Sequence, residues 1–159
     1  MRRIAATAAG VLALLAVAAC GSDAPPETPL ACLEPAPAYL RALEAAPGEV
    51  LLDGTTPISD CLVEEQGPGA QAQAGEAMIV AATRLNRELR RELDRPTAVS
   101  LGYLVGAVQE GAAATGGIHA DLVRRLDAAA RYPEAGGEPF PASFERAFGA
   151  GYAAGQESG

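Results

Sequence analysis

Residues 97–115, TAVSLGYLVGAVQEGAAAT, are apolar on nearly every side until Gln109 and Glu110. A helix that is apolar all round must be buried, and this run is too short to span a bilayer, so we predict that it forms the central buried helix of the domain. Gly102 and Gly106 lie one turn apart within it. Small residues at this spacing let a second helix approach closely.

Helical patterns flank the central segment on both sides. From Ala70 to Arg95, apolar residues recur at spacings of three and four positions, and Pro96 ends the run. The pattern resumes from Ile118 to Tyr132. A loop rich in Gly and Pro then leads to a last predicted helix, from Ala142 to about Ala154.

Two shorter helical segments are predicted earlier in the chain, from Ala38 to Ala46 and from Pro57 to Gln66. Between them, Glu49 to Asp53 favours an extended conformation. Short loops between helices favour antiparallel neighbours. The pattern therefore predicts an all-α fold, a compact four- or five-helix bundle formed by residues 38–159.

The outer faces of these helices carry opposite charges four residues apart. Such pairs stabilise a helix by about 0.2–0.5 kcal/mol each and are typical of solvated surfaces. We therefore predict exposed, salt-bridged faces rather than an anion-binding site. The predicted pairs are Arg84 with Glu88, Arg90 with Asp94, Asp121 with Arg125, and Asp127 with Arg131.

The last predicted helix carries three of the seven aromatic residues, Phe144, Phe148 and Tyr152, on one stripe. Large aromatic side chains at this spacing indicate a face that is buried. We predict burial in the core of the domain itself. The alternative is a stripe that binds a partner.

Composition excludes several functional classes. The chain of 159 residues has 12 basic residues, all of them arginine, against 20 acidic ones, a formal charge of −8, so charge alone does not support nucleic-acid binding. The chain has one His, three Cys and no Trp. These are too few for a multi-histidine metal site or a Cys₄ zinc site, and they do not favour an aromatic platform for sugars or bases. No metal or cofactor is expected.

The first 19 residues have the pattern of an export signal. Arg2 and Arg3 precede an uncharged run of sixteen residues, Ile4 to Ala19. A helix of that length is about 24 Å long, short of the roughly 30 Å hydrocarbon core, which is typical of a signal peptide.

Immediately after this run, Val17-Ala18-Ala19-Cys20 resembles the lipobox of bacterial lipoproteins. The resemblance covers the leader only. It implies cleavage before Cys20, acyl chains on that residue, and a protein anchored to the extracytoplasmic face of the cell membrane. The alternatives are an uncleaved anchor or an ordinary secretory signal. Because the mature chain would carry a charge of −10, its membrane attachment is expected to come from the acyl chains alone.

Residues 20–37 are rich in proline and are predicted to be a solvated tether between lipid and domain. With Cys20 committed to lipid, the remaining Cys32 and Cys61 are predicted to form a structural disulfide. The alternative, a redox dithiol, lacks a Cys-x-x-Cys motif.

Catalytic motifs are poorly matched. Gly111 to Gly117 begins like a phosphate-binding loop but has Gly117 and Ile118 where Lys and Ser or Thr are needed. Ser100 lacks the surroundings of a nucleophile. We interpret His119 as a helix-start residue whose ring satisfies free backbone groups.

Two specific site hypotheses are open. Met78 and His119 could be axial ligands of a haem, and Glu110 could be the general acid of a cell-wall hydrolase. The sequence favours an interaction or structural module of the bacterial envelope, with an envelope protein as a possible partner and no nucleic acid. A ligand- or haem-binding module is the alternative, and a cell-wall hydrolase is the third hypothesis.

Overall fold

The computed structural model describes residues 27–131 and 141–159, which are mostly helical. Over these residues there are five α-helices and only a two-stranded sheet, so the mainly α-helical class is confirmed. The helices are α1 Ala36–Ala42, α2 Pro68–Leu89, α3 Arg95–Ala113, α4 Ala120–Ala130 and α5 Ala142–Ser158.

The two strands, β1 Leu51–Leu52 and β2 Thr56–Pro57, pair antiparallel as a hairpin. In the three-residue connection, residues 53–55, Asp53 and Gly54 have positive φ (52° and 80°), a conformation that Asp and Gly adopt more readily than other residues. The predicted extended conformation of residues 49–53 thus includes β1. The predicted helix over residues 57–66 is wrong, because strand pairing holds its first residue and only Ser59–Cys61 form a 3₁₀ turn.

The fold begins closer to the N terminus than predicted. Leu30–Leu33 form a 3₁₀ turn, and Ala31, Cys32 and Ala36 are buried. The physical reason is the disulfide of Cys32, which holds this proline-rich segment against the core. Part of the predicted tether of residues 20–37 therefore belongs to the folded domain, whose predicted start was residue 38.

Capping explains where α2 and α3 meet. The carboxylate of Asp94 accepts a hydrogen bond from the amide of Thr97 (3.3 Å), and Pro96 lies in the first turn of α3, where its missing N–H costs nothing. The predicted end of α2 at Arg95 is therefore about six residues too late. Pro96 begins the next helix instead of only ending the previous one.

Helix α3 is central, as predicted. Every residue from Ala98 to Val108 is buried, and α3 contacts α2, α4 and α5.

The exposed charged side chains of α2 and α4 follow the predicted spacing only in part. Arg84 pairs with Glu88 (3.4 Å), but Asp121 pairs with Arg124 (2.9 Å) at a spacing of three residues instead of four.

Glycines bring α3 and α5 into direct backbone contact. A Cβ atom added at Gly102 would overlap the carbonyl oxygen of Phe148, and one added at Gly151 would overlap that of Val99. The close approach predicted from Gly102 and Gly106 is thus confirmed. It requires matching glycines on α5, Gly151 and Gly155, which the sequence analysis did not identify.

The contacts advance in the same direction along both helices, so α3 and α5 are parallel. Gly102 lies against residues 148–152, and Gly106 lies against residues 152–156. The antiparallel packing predicted for helices joined by short loops does not concern this pair, because α4 lies between α3 and α5 in the chain.

The aromatic stripe of α5 flanks this contact. The buried residues of α5 are Ala147, Gly151 and Gly155, whereas Phe144, Phe148 and Tyr152 are only partly buried and pack against the edge of the core. The glycine face, not the aromatic one, is the centre of the α3–α5 interface.

Two glycine substitutions on α5 test this packing. Gly151→Ala should lower the free energy of unfolding by about 3 kcal/mol or more, because the new methyl group forces the two backbones apart. The matched control is Gly149→Ala, since Gly149 is exposed on the same helix with nothing within 4 Å. This change should stabilise the protein by about 0.5–1 kcal/mol. Similar melting temperatures for the two variants would contradict the contact.

Candidate functional site

A buried polar network surrounds the only histidine of the chain, His119, which immediately precedes α4. The ring is fully buried. Its Nδ1 lies 2.9 Å from the hydroxyl of Thr115, and its Nε2 lies 2.6 Å from Oε1 of Gln66. Both ring nitrogens are therefore hydrogen-bonded to side chains of the protein.

The surroundings of Gln66 determine which nitrogen carries the proton. Its amide nitrogen donates to the hydroxyl of Thr28 (2.9 Å) and to the carbonyl of Cys61 (2.8 Å), so its oxygen faces His119. That oxygen only accepts, so Nε2 of His119 is assigned the proton.

The other side of the ring depends on the hydroxyl of Thr115. This hydroxyl lies 2.8 Å from the carbonyl of Ala112 as well as 2.9 Å from Nδ1 of His119, and it has a single proton to donate. With neutral His119 it donates to Nδ1. With a charged ring it accepts from Nδ1 and donates to Ala112 instead.

These contacts correct the interpretation of His119. Its ring makes no capping hydrogen bond to the start of α4 and instead connects two loops through side chains. They also weigh against His119 as a haem ligand, because neither ring nitrogen points to open space. Met78, the other half of that hypothesis, is fully buried in the hydrophobic core.

The predicted disulfide is present between Cys32 and Cys61, with a Cα–Cα distance of 5.3 Å. Both cysteines are fully buried. The hydroxyl of Tyr39 donates to the carbonyl of Cys32 (2.7 Å) and lies 3.7 Å from the sulfur of Cys61. Burial raises the pKa of Tyr39 well above its ordinary value, so the hydroxyl remains a donor.

Further hydrogen bonds join the end of α5 to the same region. The hydroxyl of Ser59 donates to the carbonyl of Gly159, and the hydroxyl of Tyr103 donates to the carbonyl of Ser158 (3.0 Å). We call this part of the molecule the disulfide end. It comprises Thr28, Cys32, Ser59–Cys61, Gln66, Thr115, His119 and Gly159.

An open cleft of about 480 Å³ lies at the disulfide end, lined by Ser59, Asp60, Glu27 and Glu110 among others. Glu110 is exposed here. The general-acid hypothesis requires an enclosed apolar setting for this carboxyl group, and the cleft does not provide one.

A second cleft, of about 460 Å³, lies between α1, α2 and the start of α3. Arg41 and Arg84 line it together with Ser100. The hydroxyl of Ser100 donates to the carbonyl of Leu43 (2.9 Å), a bond that ties the end of α1 to α3. Ser100 therefore has a structural role.

The lipidation, metal-binding and membrane-spanning hypotheses are not supported by any arrangement of the described residues. Cys20, the predicted lipidation site, lies outside the described residues. Among residues 27–131 and 141–159, no three His, Cys, Asp or Glu side chains are grouped so as to hold a metal ion. In the same ranges, no helix combines the length and the apolar character that crossing a membrane requires.

Sequence reasoning did not identify Gln66, Thr28 or Thr115 as partners of His119. These are isolated polar residues without a motif, and only the folded chain brings them together.

No protein-family model, curated protein or solved structure matches this chain. The functional interpretation therefore comes from its own residues.

The buried histidine should make stability depend on pH. Burial lowers the pKa of His119 below its ordinary value of 6.5, so the unfolded chain takes up a proton at a higher pH than the folded one. The stabilisation is complete above pH 6.5 and is lost as the pH falls toward the lower folded pKa. Denaturant unfolding across this range measures the loss, and NMR titration of the ring gives the folded pKa directly.

The control for this experiment is His119→Gln, which removes the titrating group while keeping a polar side chain. Its stability should change less with pH just below 6.5 than that of the wild type. A folded pKa at or above 6.5 would contradict the effect of burial.

The disulfide should contribute strongly to stability. In the chain-entropy model, closing a loop of about 30 residues contributes about 3.6 kcal/mol, so Cys32→Ser with Cys61→Ser should lower the melting temperature clearly. Cys20→Ser is the matched control and should melt like the wild type. Non-reducing mass spectrometry should detect no free thiol at Cys32 or Cys61. Two alkylatable thiols in protein taken directly from cells would overturn this role.

Proposed function

We propose that this protein is a lipid-anchored helical module on the extracytoplasmic face of a bacterial cell membrane. In this proposal, residues 1–19 are a signal peptide and acyl chains on Cys20 hold the mature protein to the bilayer. The domain serves as an interaction or structural module and not as an enzyme. Its helices are proposed to form one compact bundle around α3.

The observation that carries the proposal is the buried disulfide. Disulfides form and persist in oxidising compartments outside the cytoplasm and are rare in cytoplasmic proteins. Cys32 and Cys61 are both fully buried and bridge 29 positions of the chain, which suits a structural bond. Export is also what the leader predicts, so two independent features support the same location.

The start of the fold supports a position close to the membrane. Thr28 is hydrogen-bonded to Gln66, and it lies eight residues after Cys20. A fully extended chain of eight residues spans roughly 26–29 Å. Lipidation at Cys20 would therefore hold the disulfide end within that distance of the bilayer surface.

The polar groups of the domain favour a structural or binding role over catalysis. The hydroxyl of Ser100 and both ring nitrogens of His119 are engaged in bonds that join helices and loops. A nucleophile or a general base needs an atom that can reach a substrate. Ser100 and His119 carry side chains of the types that act as nucleophile and base, and the hydrogen bonds of both belong to the fold.

The anchor is tested by Cys20→Ala in a bacterial host that processes lipoproteins. The wild-type protein should fractionate with membranes and carry acyl chains on its N-terminal cysteine. Cys20→Ala should accumulate as an unlipidated precursor or be shed into the medium, because the acceptor thiol is lost. Ser22→Ala, two residues further on, is the matched control and should behave as the wild type. Wild-type protein that is entirely soluble with an intact leader would refute the proposal.

A further inference from the structure

The second cleft, between α1, α2 and the start of α3, has one wall that carries a charge of each sign. Arg41 and Glu44 both line this cleft, and both side chains are exposed. They stand three positions apart on a continuous helical stretch, because the 3₁₀ turn Leu43–Ala45 follows α1 directly. Within the part of the chain that the structure describes, neither side chain is paired with another group. Both charges are therefore open to a ligand.

The opposite wall, on α2, is already neutralised. Nε of Arg84 lies 3.4 Å from Oε1 of Glu88, and both residues line the cleft. Together with Arg41 and Glu44 they sum to no net charge. A simple anion or cation is therefore not favoured here, whereas a molecule that carries both charges complements the unpaired wall.

The surface between the two walls is largely apolar. Leu40, Leu85 and Pro96 line it, and Leu85 is only 6% exposed. The hydroxyl of Ser100 also lines it but is engaged with the carbonyl of Leu43. Small-molecule sites combine an apolar lining with a few polar groups that fix orientation, in volumes of about 300–1,000 Å³. The cleft, at about 460 Å³, has this character and size.

The spacing of the two unpaired charges indicates the length of the ligand. Side chains three residues apart on a helix have Cβ atoms about 5–6 Å apart. Two residues of extended peptide span about 7 Å, so the charged ends of a dipeptide match this separation. An ethanolamine lipid headgroup carries the same two signs of charge, but its short linker would leave the apolar surface of the cleft uncovered.

We infer that this cleft binds a dipeptide with free amino and carboxyl ends and apolar side chains. The guanidinium of Arg41 pairs with the carboxylate of the ligand through charge-assisted hydrogen bonds, and Glu44 accepts from its ammonium group. The side chains of the dipeptide lie against Leu40 and Leu85. This binding activity goes beyond the proposed envelope location and does not depend on the lipid anchor.

The test titrates the isotopically labelled mature chain carrying Cys20→Ser with the dipeptide alanyl-leucine, followed by NMR. The amide signals of residues 41–46 and 97–100 should shift most and should saturate. N-acetylation or C-amidation of the dipeptide should each weaken binding about tenfold, because each removes one charge-assisted hydrogen bond. Blocking both ends should weaken binding further.

Two variants assign each end of the ligand to its side chain. Arg41→Ala should weaken binding of the free dipeptide about tenfold, and C-amidation should then cost nothing more, because the pairing is already lost. Glu44→Ala should show the same behaviour with N-acetylation. The matched control is Asp121→Ala with Arg124→Ala, which removes an exposed pair of the same spacing on α4 and should bind as the wild type does.

The absence of a saturable shift at the cleft would overturn the inference, as would equally tight binding of the dipeptide blocked at both ends. Equal losses of affinity in Arg41→Ala and in the control would also overturn it. So would binding to phosphatidylethanolamine vesicles without binding to the dipeptide. The blocked dipeptides are tested on the protein with an unaltered cleft, so the result does not depend on the stability of the variants.

Discussion

The direct backbone contact between α3 and α5 is the constraint on which the rest of the fold depends. Without side chains at Gly102 and Gly151, carbonyl oxygens of one helix lie against α-carbons of the other. Cα–H···O contacts of this kind contribute roughly 0.5–1 kcal/mol each, and dispersion between closely packed backbones adds to them. The contact also sets the position of α5 along α3, which brings Gly159 to Ser59 and closes the disulfide end.

The disulfide end depends on buried and partly buried polar groups that satisfy one another. Gln66 alone connects Thr28, Cys61 and His119, so the start of the fold, the disulfide turn and the start of α4 are joined through one side chain. Buried polar groups without partners are costly, so the hydrogen bonds of His119 favour the folded arrangement of these segments. Such a connected region suits a domain that we propose to be held to a bilayer by the segment preceding Thr28.

Some of this architecture could be predicted from sequence because it depends on composition within one segment. The burial of α3 followed from its apolar residues, its close contact from Gly102 and Gly106, and the disulfide from the small number of cysteines. The rest depends on pairing between distant segments. The glycines of α5 had no evident partner, and the parallel course of α5 depends on the return of α4. Gln66 gave no signal, because one polar residue does not specify which buried group it will meet.

The most direct test of the α3–α5 contact is an NMR measurement of distances between backbone protons. The position of the missing Cβ of Gly155 lies 2.9 Å from the amide nitrogen of Ala107, and that of Gly106 lies 3.1 Å from the amide nitrogen of Gln156. Strong nuclear Overhauser effects are therefore predicted from the α-protons of each glycine to the amide proton of its partner. Their absence, with α3 and α5 connected only through side-chain protons, would contradict the contact.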